Sequence, residues 1–178
     1  MEDNKSNKIY FIGSYPEDIY TKLIYYRQGK FPIVHIGIIS DFLNKINPLV
    51  IEMMPFRGIS YKVWRNIHNH HTPFVVKSIK VTEEQYNKFW NLLNEMYFCN
   101  LNYDYLSSLG ITSNKSYGEI DRFFDSELPT YLLSQIGIDL YNHLKPYEIS
   151  PKMFMLSPLL NFEYFYDGNS IRYSWEID

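Results

Sequence analysis

The sequence predicts an α+β fold. Apolar, β-branched runs of strand length cluster in the middle of the chain, and helical patterns stand apart from them with their own start and stop signals. The order lacks the regular strand–helix alternation of a doubly wound sheet.

Lys8 to Ile12 reads as the first strand. Ser14-Tyr15-Pro16-Glu17 predicts a helix start, with Ser14 as cap and Pro16 in the first turn. Ile19, Leu23, Ile24 and Arg27 follow at helical spacing, and Gly29 ends the segment. Pro32 to Ser40 is predicted as a buried strand with His35 in its middle, Leu49 to Met53 as another, and Phe74 to Val81 as a third, with Gly58 in the turn between the last two. Thr82-Glu83-Glu84-Gln85 is a capping box: the Thr82 hydroxyl serves the Gln85 amide, and the Gln85 side chain reaches back. The helix it opens carries Tyr86, Phe89, Trp90, Leu93 and Met96 on one face. Tyr103-Asp104-Tyr105 begins a short segment ending at Gly110, residues 112–118 read as a loop, and a last helix spans about Ser126 to Ile136 with Gly137 as its stop. Asp167-Gly168-Asn169, between alternating apolar and polar residues, predicts a hairpin.

The 178 residues fit a single domain, with a core over about residues 8–140 and a C-terminal hairpin extension over 141–178. Aromatic residues make up 18% of the chain, including 17 Tyr and 12 Phe, so the core is expected to be built on large rings. A net charge of −3 with no basic cluster argues against a nucleic-acid partner. No apolar run is long enough to span a membrane, and the polar N-terminus lacks a signal-peptide segment. The lone Cys99 rules out an internal disulfide and is expected to be a small buried hydrophobe; the setting expected is cytoplasmic, or a virion assembled in a host cytoplasm. The absence of alanine and the abundance of Asn, Lys, Ile and Tyr point to an AT-rich genome, such as that of a phage, a poxvirus or a low-GC bacterium.

Three residues suggest chemistry. His35 and Glu52 lie on neighbouring strands, where a carboxylate can face an imidazole, fix its tautomer and raise its pKa. Asp125 precedes a helix, where a group feels the positive end of the helix dipole; aspartate is also among the best helix caps. A thiol in that place would be activated by the dipole and the histidine. His68, His70 and His71 form a dense tract, but no cysteine accompanies it and its Asn/Thr/Pro setting reads as a loop, so no metal is expected, and no cofactor.

In order and spacing, His35-Ile36-Gly37-Ile38, Ile51-Glu52 with Arg57-Gly58-Ile59, Tyr103-Asp104-Tyr105, Phe124-Asp125-Ser126-Glu127-Leu128 and Gln135-Ile136-Gly137-Ile138 resemble the circularly permuted NlpC/P60 (papain-like) hydrolases, a group with YiiX-like bacterial, phage and poxvirus members. The resemblance covers about residues 8 to 140. It implies a permuted papain-like fold, a central antiparallel sheet packed by helices. It also implies that His35 is the base, Glu52 its orienter, residue 125 the nucleophile position, and Tyr103, Tyr105 and Ser126 part of the substrate pocket. The family's cysteine is replaced here by Asp125, a poor nucleophile toward amides and thioesters. The expectation is an inactive hydrolase-fold protein that binds a peptide, lipid or protein partner. With cysteine at 125 the same framework would be an active thiol amidase, peptidase or acyl hydrolase. A third reading is a phage or viral structural protein working in a virion or homo-oligomeric assembly.

Overall fold

A computed structural model describes residues 7–54, 57–99, 101–103, 122–142 and 144–173. Its centre is a seven-stranded antiparallel sheet in the order β4-β3-β2-β1-β5-β8-β9. The strands are β1 (Asn7–Ser14), β2 (His35–Asp41), β3 (Leu49–Met54), β4 (Gly58–Val63), β5 (Phe74–Val81), β8 (Asn161–Tyr166) and β9 (Ile171–Arg172). Between them in sequence, β6 (Asn102–Tyr103) and β7 (Arg122–Phe123) form a small parallel pair. The helices are α1 (Ile19–Arg27), α2 (Glu83–Phe98), α3 (Glu127–Gln135) and α4 (Pro151–Leu156). Most of the short segment expected from Tyr103 to Gly110, and the loop expected over 112–118, lie outside the described residues. No helix among the described residues is long and apolar enough to cross a membrane.

Alternation along the strands divides the core in two. Ile9, Phe11, Ile36, Ile38, Ile51, Met53, Val75 and Ile79 face one side, where Phe89 and Leu93 of α2, Leu128, Leu132 and Leu133 of α3 and Phe154 of α4 pack on them. Ile12, Ile39, Val50, Phe74 and Val76 face the other side and meet Trp64, Tyr164 and Tyr166. The expected aromatic core is present: Phe11 stands edge-on to both Phe154 and Phe89, at ring separations of 5.0 and 6.5 Å.

The Thr82–Gln85 capping box opens α2 as expected, and Gly137, with φ of +80°, closes α3. The hairpin at Asp167–Asn169 also forms, but it is no appendage: β8 pairs with β5 and extends the main sheet, so the core runs well past residue 140. Three local expectations are corrected. Ser14 is the last residue of β1, and α1 is capped instead by Asp18, in a reciprocal box with Thr21. The reason is that β1 continues through Gly13 and Ser14, paired on both sides by Ile36/Val75 and His35/Phe74. The apolar spacing in α1 does not mark a buried face, because Ile19 and Leu23 are exposed and only Ile24 is buried. Cys99 is exposed as the C-cap of α2, beyond the last turn that touches the core.

Candidate functional site

His35 opens β2 rather than sitting in its middle, and its odd-numbered position turns it to the same side of the sheet as Gly37 and Ile39. The neighbouring register, Ile38 opposite Ile51 and Ile39 opposite Val50, turns Glu52 of β3 to that side as well. Gly37 supplies the space between them. A Cβ there would lie 2.9 Å from both Cγ and Oε1 of Glu52, so only a glycine lets this carboxylate lie flat against β2 and reach His35. Asp125 arrives from the turn before α3, which is anchored by the buried Phe123, Phe124 and Leu128.

These parts meet. His35 Nδ1 lies 3.0 Å from Asp125 Oδ2, and His35 Nε2 lies 3.1 Å from Glu52 Oε2. The first contact has hydrogen-bond geometry. The second is a close charge contact off the N–H direction, which leaves Nε2 buried without an aligned hydrogen-bond partner. Asp125 does not cap α3 as expected. Ser126 holds the cap position, while Asp125 Oδ1 accepts from the Ser126 amide and Oδ2 is left for the histidine. The Ser126 hydroxyl donates to the Ile149 carbonyl at 2.7 Å, and the residue is fully buried. Tyr103 lies in β6, and Tyr105 falls outside the described residues.

Sequence reasoning missed two members of the cluster. After β4 the chain makes a 3₁₀ turn over Trp64–Asn66, which brings His68 back under the sheet. Its ring stacks on Trp64 at 3.9 Å, and its Nε2 lies 3.1 and 3.2 Å from the two oxygens of Glu52. His68 Nδ1 is held by Glu17 Oε2 at 3.1 Å. Glu17 in turn accepts from the Asn69 amide at 2.8 Å and from the Thr72 hydroxyl. The histidine tract was the signal for His68. What was invisible was that its members part company, with His71 bonded to the Gly168 carbonyl and His70 exposed.

The result is a continuous row, Asp125–His35–Glu52–His68–Glu17, in which carboxylates and imidazoles alternate. Burial by itself would push the Glu52 carboxyl up, but the charges of His68 and His35 outweigh it and hold Glu52 well below the ordinary carboxylate range. For His35, burial works downward, while the Glu52 charge and the Asp125 hydrogen bond carry it well above the ordinary histidine value. His68 is likewise opposed by burial and raised to about 8 by the Glu52 charge and its bonds to Glu17 and Glu52. Both neighbouring acids thus favour the protonated imidazolium of His35 over the neutral base that general-base catalysis requires.

A cleft of about 130 Å³ reaches this row, lined by Tyr15, Glu17, Asp18, His35, His68 and Asp125 among others. Among the described residues, no Lys or Arg lines it. A larger groove, of about 540 Å³, lies elsewhere, beside α2 at Tyr61, Trp90 and Tyr97, and holds none of the clustered acids and histidines. No protein-family model matches this sequence, and no curated protein matches it.

Proposed function

We propose that this chain carries the framework of a permuted NlpC/P60 hydrolase with its thiol chemistry removed, and that it acts by binding a ligand rather than by cleaving one. One observation carries the reading: Asp125 at the head of α3 lies 3.0 Å from His35 Nδ1 while Glu52 lies 3.1 Å from Nε2. In a cysteine hydrolase the nucleophile and the orienting acid flank the catalytic imidazole in this way. A carboxylate in the nucleophile's place locks the imidazole as a cation and provides no sulfur to acylate. Cys99 is no substitute, since it is exposed at the end of α2 and does not line the cleft.

The cleft favours one kind of ligand group. Its volume of about 130 Å³ admits a small head group and not a folded segment. Glu17, Asp18 and Asp125 stand on its wall. With Glu52 below them, three carboxylates, those of Glu17, Asp125 and Glu52, contact the two histidines, His35 and His68. That balance suits a cationic or hydrogen-bond-donating group, such as the amine of a peptide or protein partner, better than an anionic lipid head group.

The test is the Asp125→Cys variant. In this framework the introduced thiol takes its place beside His35 and the α3 N-terminus, and it should be alkylated by iodoacetamide at mildly acidic pH much faster than Cys99 in the same chain. It should also form an acyl adduct with an activated ester. If the introduced thiol reacts no faster than Cys99, the hydrolase framework is the wrong description of this site.

A further inference from the structure

The geometry points to a divalent-cation site, best matched to Zn²⁺, with His35 Nε2, the Glu52 carboxylate and His68 Nε2 as its three protein ligands. This inference stands on the three donors and does not depend on the hydrolase reading.

The donors are already close to ligand spacing. The donor atoms of His35, Glu52 and His68 all lie within 4.8 Å of one another. The imidazole nitrogens are 3.1 Å from Glu52 oxygens. In a tetrahedral zinc site with bonds of about 2.0–2.2 Å, neighbouring nitrogen and oxygen ligands are separated by about 3.3–3.5 Å. The two nitrogen–oxygen contacts therefore need to open by only a few tenths of an ångström, while the two imidazole nitrogens, which lie within 4.8 Å of each other, settle to the same spacing around the ion. Two imidazoles and one glutamate also form the donor set of catalytic zinc sites, which keep a fourth position for water or substrate. The cleft beside His35 and His68 supplies that position, with room of about 130 Å³.

The ligands are also supported from behind. A metal-binding histidine ordinarily donates its other ring N–H to a carboxylate or carbonyl, which sets the tautomer and aims the ligating nitrogen. Both histidines are arranged so: Asp125 takes Nδ1 of His35 at 3.0 Å and Glu17 takes Nδ1 of His68 at 3.1 Å. Each supporting carboxylate is itself fixed, Asp125 by the Ser126 amide and Glu17 by the Asn69 amide and the Thr72 hydroxyl. His68 Nε2 is thereby directed at Glu52, and His35 Nε2 lies 3.1 Å from the same carboxylate but off the line of its N–H. The buried His35 Nε2, which lacks an aligned hydrogen-bond partner, is the group a metal would satisfy. The ion takes the place of the protons on the two Nε2 atoms, so binding releases protons and weakens as pH falls.

The experiment uses the full chain without an affinity tag, stripped with EDTA, dialysed and titrated with ZnCl₂ against a chromophoric zinc chelator. The expected result is one Zn²⁺ per chain with sub-micromolar affinity. Glu52→Gln and His68→Gln should each weaken it by more than about 100-fold, and Glu17→Gln, which loosens a supporting carboxylate, by about 10–100-fold. His70→Gln should leave it unchanged, because His70 is exposed and outside the three-donor cluster. Co²⁺ loaded into the unmodified chain should show the intense visible bands of four-coordinate cobalt, a readout that needs no variant to fold. Absence of stoichiometric Zn²⁺ binding, equal affinity in Glu52→Gln, or the weak spectrum of six-coordinate Co²⁺ would each overturn the assignment. Since Asp125→Cys alkylation reads the helix-side thiol without metal, failure of the two ideas is separable.

Discussion

Replacing Glu52 by glutamine keeps the shape of the side chain and removes the charge that His35 and His68 share. In the metal-free protein this leaves two imidazoles close together, with ring centroids 5.7 Å apart, around a neutral amide. Breaking a buried ion pair from one side costs about 3–5 kcal/mol. Part of that cost depends on pH, and the structure says which part. Against burial, which works downward, the Glu52 charge is the largest of the influences that raise His68 from its ordinary 6.5 to about 8. Such a rise corresponds to about 2 kcal/mol of stability. Because the folded pKa is the higher one, that stability is fully present below about pH 6.5 and is lost as pH rises through about 8. Glutamine removes the Glu52 charge from that linkage and leaves the bond to Glu17. The difference in unfolding free energy between wild type and Glu52→Gln should therefore be largest near pH 6 and smaller by up to about 2 kcal/mol near pH 9. Urea unfolding of both chains in EDTA at the two pH values measures it. A difference that is the same at both pH values would refute the claim that Glu52 holds His68 protonated.

Three further outcomes follow from the same geometry. Gly37→Ala places a methyl 2.9 Å from Glu52 Cγ and Oε1 and 3.1 Å from Ile12 Cγ2, and should destabilise the fold by about 1–3 kcal/mol in thermal or urea unfolding while displacing Glu52. Gly58→Ala drives a methyl into the Leu101 carbonyl oxygen at a φ of +65°, and should cost at least about 2 kcal/mol by the same assays. Glu17→Gln removes one of the bonds that raise His68, so the His68 imidazole resonances in an NMR titration should move at a pH below about 8 while those of His35, held by Asp125 and Glu52, should still titrate well above the ordinary range.

The strands and capped helices were legible because each rests on local chemistry. Phe74–Val81 was bounded to the residue by its β-branched alternation, and α2 was announced by Thr82 and Gln85. The α1 start was misplaced because Ser14 and Pro16 make a plausible cap sequence, and nothing local reveals that Ser14 is committed to sheet pairing on both sides. His35, Glu52 and Asp125 were grouped from the sequence, and the structure brings all three together. His68 and Glu17 were not grouped with them. Their partnership spans 51 residues and depends on a 3₁₀ turn and on the path from β1 into α1, and neither leaves a periodic trace.

The way α1 is fastened gives the row of charges a mechanical role. Ile19, Leu23 and Tyr26 point to solvent, and Ile24 is the helix's one buried residue. Its apolar hold on the core is Ile24 together with Tyr20, which packs against the main cluster. Its front end is tied down through Glu17, which grips His68, Asn69 and Thr72, and its rear end through Gln28, which bonds the Ile33 carbonyl and the Lys152 amide. The tie at the front of α1 is thus electrical, since it runs through the Glu17–His68 ion pair. Neutralising His68 by raising the pH weakens that tie. Amide exchange in α1 should then quicken selectively, so that solvent access to one short helix reports the ionisation of a histidine buried beneath it.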